Sequence, residues 1–237
     1  MQLFYHPDIQ PLSLLVTFSR EESRHLVKVL RKKRGDKIHI TDGRGNLYLA
    51  EIINDNDKKC EVQVLNTEKR PDQKGYRLHV GIAPTKNNDR LEWFLEKSTE
   101  IGIDEITPIL CDHSERKKIN QVRCEKVLQA AMKQSLKHFL PKLNPLQSFD
   151  MVVDKVHAGS KLIAHCAEAD KKGLPGLVKN QNDILVLIGP EGDFSPREIE
   201  KATKSGFENL DLGQTRLRTE TAGVVVCSNI SFMKEFL

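Results

Sequence analysis

The sequence predicts an α/β protein: a C-terminal part built on a parallel sheet flanked by helices, preceded by a small β-rich domain. Three observations carry that prediction. Residues 184–188, Ile-Leu-Val-Leu-Ile, form a continuous apolar run, the pattern of a strand buried on both faces of a parallel sheet. Residues 210–226 begin as a strand, pass through a polar loop and end as a helix, so that two strand, loop, helix units follow one another. Before residue 70 the apolar runs are short and separated by turn residues, as in a compact β domain.

Taken in order, apolar runs at 37–41, 47–53 and 60–65 read as strands, with hairpin chemistry in Asp42-Gly43 and Gly45-Asn46 between the first two. One helix is expected at 19–30, because Ser19 can cap it, Glu21 and Glu22 favour its first turn, and Leu26, Val27 and Leu30 share a face. A helix among short strands suggests a small barrel. Residues 68–75 are polar, carry Pro71 and Gly75, and read as a linker dividing the chain into domains at 1–72 and 73–237.

Residues 76–84 alternate as a strand. Asp89 then opens a helix with Leu91, Phe94 and Leu95 on one face, Gly102 ends it, and residues 103–110 return as the next strand. The right-handed crossover rule makes the sheet of that βαβ unit parallel. A helix is expected at 121–138 and a short buried strand at 160–167. After the apolar run at 184–188, Ser195-Pro196-Arg197-Glu198 fits a capping box with proline at the first helical position, opening a helix to about Ser205.

No stretch of about 18 apolar residues is present, so no membrane span is expected. The N-terminus lacks the basic and then apolar layout of a secretory signal, and a cytoplasmic protein is expected. The five cysteines are widely spaced, without a Cys-x-x-Cys or a Cys/His cluster at ligand spacing, so they read as reduced thiols and no metal is expected. His165 and Cys166 lack a companion ligand for metal or nucleophile chemistry. The net charge of +4 is modest, but its distribution is uneven. Arg24, Lys28, Arg31, Lys32, Lys33, Arg34 and Lys37 stand against Asp36 alone in one short segment, either a solvated helix end or a phosphate-binding patch.

Loops at the carboxyl ends of neighbouring parallel strands form the usual ligand crevice of such a sheet. Here they are Gly189-Pro190-Glu191-Gly192 and the run from Gly213, which suits a turn needing positive φ, through Arg216, Leu217, Arg218, Thr219 and Glu220. Residues 187–192, Leu-Ile-Gly-Pro-Glu-Gly, with residues 212–222, Leu-Gly-Gln-Thr-Arg-Leu-Arg-Thr-Glu-Thr-Ala, resemble the paired cofactor loops of the SPOUT methyltransferases. The chain is most similar to the branch known as 16S rRNA (uracil(1498)-N(3))-methyltransferases. Upstream, His25-Leu26, Val29-Leu30-Arg31 and Gly35-Asp36 are similar to that family's signature in an RNA-binding, PUA-like β-barrel domain, and this match favours the phosphate reading of the basic segment.

The resemblance implies a trefoil-knotted domain, a homodimer, S-adenosylmethionine as cofactor and 16S rRNA of the small ribosomal subunit as partner. It implies that Leu187, Ile188, Gly189, Pro190, Glu191, Gly192, Leu212, Gly213, Leu217 and Ala167 bind the cofactor. Ser114 and Arg116, in an imperfect match to a Glu-Arg-Ser type loop, join Arg24, His25, Lys28, Arg31, Lys32, Lys33 and Arg34 as expected RNA contacts. Asp193 departs from the glycine usual there, and Lys137 from an arginine whose bidentate grip lysine cannot reproduce.

Methylating uridine N3 requires removing an imide proton and stabilising charge on the flanking carbonyls. A guanidinium, Arg218 or Arg216, is the natural stabiliser. Glu191 or Glu220 could orient it or take the proton, although Glu220 also reads as a helix N-terminal carboxylate behind a Thr219 cap. The rival reading is a non-catalytic RNA-binding assembly factor. A nucleotide-phosphate protein is disfavoured, because neither glycine-rich phosphate motif opens a helix here.

Overall fold

The computed structural model describes residues 2–72 and 74–236. The chain divides into two compact units, residues 1–73 with 132–140 and residues 74–131 with 141–237. In the first unit β1 (Leu3–Tyr5), β2 (Leu15–Thr17), β3 (Lys37–Thr41), β4 (Asn46–Asn54) and β5 (Glu61–Lys69) form one sheet in the order β1-β3-β4-β5-β2. The pairing is antiparallel except for β1 beside β3. Alternation along the strands buries Ile38, Ile40, Tyr48, Ala50, Ile52 and Val62 against Phe4, Phe18 and Leu26. The edge strands β1 and β2 are three residues each, too short to display a period of two in the sequence. His6 joins the two edges, its Nε2 lying 3.2 Å from the Thr17 carbonyl oxygen, so the sheet curls towards closure through a side chain.

The helix expected at 19–30 is divided. Ser19 caps α1 (Arg20–Arg24), its hydroxyl accepting from the Glu22 N–H, as the sequence predicts. Residues 25–29 then widen into a π-helical turn in which the Leu30 N–H reaches back five residues to the His25 carbonyl. The wider turn keeps Leu26 wholly buried and leaves Arg24, Lys28 and Val29 outside. Buried Ser23 anchors the start, donating to the Phe18 carbonyl and accepting from the Cys60 N–H.

The second unit runs β6 (Arg77–Ile82), α2 (Asn88–Ile101), β7 (Glu105–Leu110), α3 (Gln121–Gln134), β8 (Lys142–Leu143), β9 (Gln147–Ser148), α4 (Phe149–Val153), β10 (Ser160–Ala164), β11 (Lys172–Gly173), α5 (Leu174–Val178), β12 (Asp183–Ile188), α6 (Pro196–Lys204), β13 (Glu208–Asp211) and α7 (Thr219–Phe236). Its sheet has the order β11-β13-β10-β12-β6-β7-β8, with β9 also beside β7, and every pairing is parallel. Leu185 and Leu187 face the core shared with Phe149 and Val152 of α4 and Ala202 of α6. On the face of Ile82, α7 and α2 pack so closely that a Cβ on Gly223 would stand 2.6 Å from the Phe94 ring, which requires glycine there.

Two expectations need correction. Asn87, not Asp89, caps α2, its side chain accepting from the Asp89 N–H; a residue nearer the Pro84 turn takes the cap and Asp89 falls in the first turn. The helix expected at 121–138 stops at Gln134, because Leu136 adopts φ +56 and residues 132–140 fold onto the first unit. There Lys133 pairs with Glu22 at 2.6 Å, and the His138 carbonyl accepts from the Thr41 hydroxyl and the Gly45 N–H. The capping box forms in full, and α2 ends at Gly102 as expected.

Candidate functional site

The register places Ala164 of β10 opposite both Ile188 of β12 and Leu210 of β13, so three adjacent strands end level with one another. Their three following loops therefore meet at one edge of the sheet. Hydrogen bonds tie them together. The Thr219 hydroxyl donates to the Gly189 carbonyl at 3.0 Å, linking the loop after β13 to the loop after β12. Asp193 accepts from the Cys166 N–H at 2.8 Å, linking the loop after β12 to that after β10. Asp193 stands at φ +62, where its other carboxylate oxygen accepts from the Phe194 N–H and its own N–H closes a turn on the Pro190 carbonyl. Aspartate is among the few non-glycine residues that tolerate this region, which explains how it replaces glycine. Gly213 turns at φ +108 with its N–H on Asp211 Oδ1.

Between the loops lies a cavity of about 970 Å³. Ile188, Pro190, Leu210, Leu212, Leu217 and Ala222 give it apolar walls, while Asp170, Glu191, Asp193 and Asp211 bring carboxylates and Arg216 and Arg218 guanidiniums. Both arginines are exposed, and among the described residues neither side chain has a hydrogen-bond or ion-pair partner. The loop after β10 is braced against β13: His165 Nε2 lies 3.0 Å from Asn209 Oδ1, Asn209 donates to the Asp170 carbonyl, and Lys171 to the His165 carbonyl. Among the described residues no group of three His, Cys, Asp or Glu is placed to hold a metal ion.

A family model described as an RNA methyltransferase domain matches residues 72–231, and one described as an RNA methyltransferase PUA domain matches residues 18–65. The chain belongs to the RNA methyltransferase family. It is 30% identical over 224 residues to the Ribosomal RNA small subunit methyltransferase E of Buchnera aphidicola subsp. Acyrthosiphon pisum, covering 91% of this chain and 87% of that protein. It is 25% identical over 230 residues to the protein of the same name from Bacillus subtilis, covering 92% and 90%. Among solved structures, a probable rRNA-methyltransferase from Porphyromonas gingivalis superposes with TM-score 0.92 at 40% identity, covering 99% of each chain. A protein from Legionella pneumophila described as a putative methyltransferase and solved with bound SAM superposes with TM-score 0.87 at 27% identity, covering 96% of each.

Of the cofactor residues expected in this methyltransferase, Ile188, Gly189, Pro190, Glu191, Gly192, Leu212, Gly213 and Leu217 line the cavity. Leu187 does not: it points into the α4 and α6 core, where its methyl would meet any Cβ added to Gly81. Ala167 is exposed and off the lining, where Cys166, Ala169 and Asp170 stand instead. Glu220 is buried at the start of α7, its Oε1 3.8 Å from Arg90 Nε and its Oε2 without a hydrogen-bond partner among the described residues. Glu191 accepts from the Lys86 N–H. Neither glutamate holds Arg216 or Arg218. Sequence reasoning did not find Arg90, Asn209 or the bonding role of Asp193; the second was legible only as a polar residue inside a strand.

The expected RNA contacts are also sorted by the fold. Arg24, Lys28, Arg31, Lys33 and Arg34 are exposed on the first unit, Lys32 is half-buried, and Lys28 lies 3.7 Å from Asp57. His25 is half-buried beside the Phe4 ring and 3.9 Å from Glu22. Ser114 is buried and accepts from the Cys111 N–H, so it presents nothing to a ligand. Arg116 turns inward, donating from Nε to the Thr85 carbonyl and from Nη2 to the Lys86 carbonyl. Arg197 first, then the Ser195 hydroxyl, hold the Asp112 carboxyl below its usual range, and burial pushes the Cys111 thiol up, leaving it inert.

Proposed function

We propose that the chain is an S-adenosylmethionine-dependent methyltransferase that methylates N3 of a uridine in 16S rRNA of the small ribosomal subunit, acting as a cytoplasmic homodimer with its C-terminal strand, loop and helix threaded as a trefoil knot. One observation carries the methyltransferase part of this reading: three hydrogen-bonded loops enclose a cavity at the carboxyl ends of β13, β10 and β12, with two guanidiniums on its lining that have no partner among the described residues. The names of the relatives support the small-subunit substrate, and the bound SAM in the Legionella protein supports the cofactor.

The lining fits that cofactor. Its volume lies within the roughly 300–1,000 Å³ of small-molecule sites, its apolar walls suit an adenine, and its carboxylates suit ribose hydroxyls, an ammonium and a sulfonium. When bound, S-adenosylmethionine supplies a methyl group carried on that sulfonium. The chain's own residues orient and neutralise. Ile188, Pro190, Leu212 and Leu217 grip the apolar part and exclude water. Arg218, with Arg216 beside it, would stabilise charge that develops on the uracil carbonyls as N3 passes its proton to a carboxylate, Glu191 on the lining or Glu220 at the start of α7. The Thr219 hydroxyl on the Gly189 carbonyl holds the start of α7 and thereby the backbone that carries Arg218, while Glu220 lies buried next to Arg90.

Arg218→Ala is expected to lower kcat about 100-fold or more, the typical effect of removing one charge-stabilising donor, while the dissociation constant for S-adenosylmethionine changes less than about twofold. Methyl incorporation into ribosomal RNA and calorimetry read the two quantities separately. Unaltered methylation removes Arg218 from the mechanism. A wild-type chain giving no heat with S-adenosylmethionine leaves an RNA-binding assembly factor as the reading.

A further inference from the structure

We infer that Lys117 and Lys118, on the loop after β7, contact the phosphates of the RNA strand that brings the target base to the cavity. The inference rests on the methyltransferase reading for the partner and on the loop's own geometry for the residues. The loop runs from Cys111 towards α3, and its first half is spent on fixing it in place. Asp112 accepts from the Ser195 hydroxyl at 2.6 Å and from Arg197 Nη2 at 3.0 Å. His113 Nδ1 lies 3.0 Å from the Gly192 carbonyl oxygen and 3.1 Å from that of Asp193, both residues of the cavity lining. Ser114 closes the turn on Cys111, and Arg116 holds the carbonyls of the loop after β6. That loop is itself bound to the lining, through the Lys86 N–H on Glu191.

A segment held this way keeps one position beside the cavity. What it leaves outside is cationic. Lys86 is exposed, but Glu115 neutralises it at 2.9 Å. Lys117 and Lys118 are exposed, and among the described residues neither side chain has an ion-pair or hydrogen-bond partner. Two adjacent free ammonium groups on a fixed loop at the margin of a base-accepting cavity suit an anionic backbone, since phosphates adjoin any base on either side. The RNA role expected of Ser114 and Arg116 thus passes to their two neighbours: the inward pair sets the loop and the outward pair meets the strand.

The test is the salt dependence of binding between the full chain and a hairpin transcript of small-subunit ribosomal RNA. Each phosphate contact contributes about 0.7 to the slope of log K on log salt for single strands and about 0.9 for duplex. Lys117→Gln with Lys118→Gln is expected to flatten the slope by about 1.4 to 1.8, raise KM for RNA about tenfold at low salt and leave kcat, calorimetric binding of S-adenosylmethionine and Tm unchanged. Arginine at both positions should restore the slope. An unchanged slope overturns the assignment, and so does a wild-type chain that does not bind the transcript. A wild-type chain that binds RNA with the steeper slope but takes no S-adenosylmethionine upholds the lysines and sinks the methyltransferase reading alone.

Discussion

At the scale of single residues, the cavity depends on side chains that bond to backbone more than on side chains that face a ligand. Asp193 shows the balance. Its φ of +62 costs a non-glycine residue about 1–2 kcal/mol, and its carboxylate offsets that by accepting from the N–H groups of Cys166 and Phe194. Asp193→Ala keeps the strained backbone and loses both acceptors, for an expected destabilisation of about 2 kcal/mol. Asp193→Gly loses the acceptors but relaxes the backbone, for about 1 kcal/mol. Thermal unfolding of both variants checks this, and equal losses would mean that the left-handed conformation carries no strain. In the sequence Asp193 is visible only as a departure from glycine, because its partner Cys166 lies 27 positions away and only the adjacency of β10 and β12 joins them. Arg116 is misleading for the same reason. A guanidinium in a loop that resembles a Glu-Arg-Ser type RNA contact reads as a ligand contact until the carbonyls of Thr85 and Lys86 are seen beneath it.

At the scale of elements, what was legible followed from short-range chemistry. The capping box at Ser195 and Glu198, the apolar run of β12 and the hairpin between β3 and β4 each involve residues within a few positions of one another, and each forms as written. The π-helical turn at His25–Val29 and the early end of α3 were not legible, since the first answers to the packing of Leu26 and the second to the docking of residues 132–140 on the first unit. Glu198 joins both kinds of information. It is fully buried and accepts from the Ser195 N–H at 2.9 Å, which is local, and from the Asp112 N–H at 3.0 Å, which is not. Ser195→Ala loses the cap and the hydroxyl's bond to the Asp112 carboxylate and should cost about 2 kcal/mol. Glu198→Ala leaves one buried and one part-buried amide without their carboxylate and should cost about 3 kcal/mol. Urea unfolding that gave the two variants the same loss would show the bond from the Asp112 N–H to be energetically idle.

At the scale of the whole molecule, the sheet of the second unit separates its two ends by task. The carboxyl ends of β10, β12 and β13 carry the cavity, while the amino ends of β6 and β7 carry an ionic network around the buried Glu105. Glu105 pairs with Arg77, accepts from Lys142 at 3.1 Å and from Asn144 at 2.6 Å, and Asn144 also donates to Thr107, whose hydroxyl lies 2.7 Å from His79 Nε2. Burial pushes the His79 imidazole down to about 4 from 6.5, the Glu105 charge only partly opposing it. Burial pushes Glu105 up, but the Asn144 bond, the nearby His79 and Lys142 outweigh it and bring its carboxyl to about 2 from 4.5. In the unfolded chain His79 takes a proton as pH falls through 6.5, whereas in the fold it does so only near 4. Stability due to neutral His79 is therefore intact above pH 6.5 and lost between 6.5 and 4, by about 3 kcal/mol. Ionised Glu105 adds stability that is complete above pH 4.5 and disappears as pH falls towards 2. Unfolding free energy measured against pH should accordingly decline in two stages, and His79→Gln should abolish the first and leave the second smaller but present, since Asn144 and Lys142 still hold Glu105 down. Because the cavity residues take no part in that network, binding of S-adenosylmethionine to the folded chain at pH 6 should match that of His79→Gln; a variant whose affinity differed there would show that the two ends of the sheet are coupled.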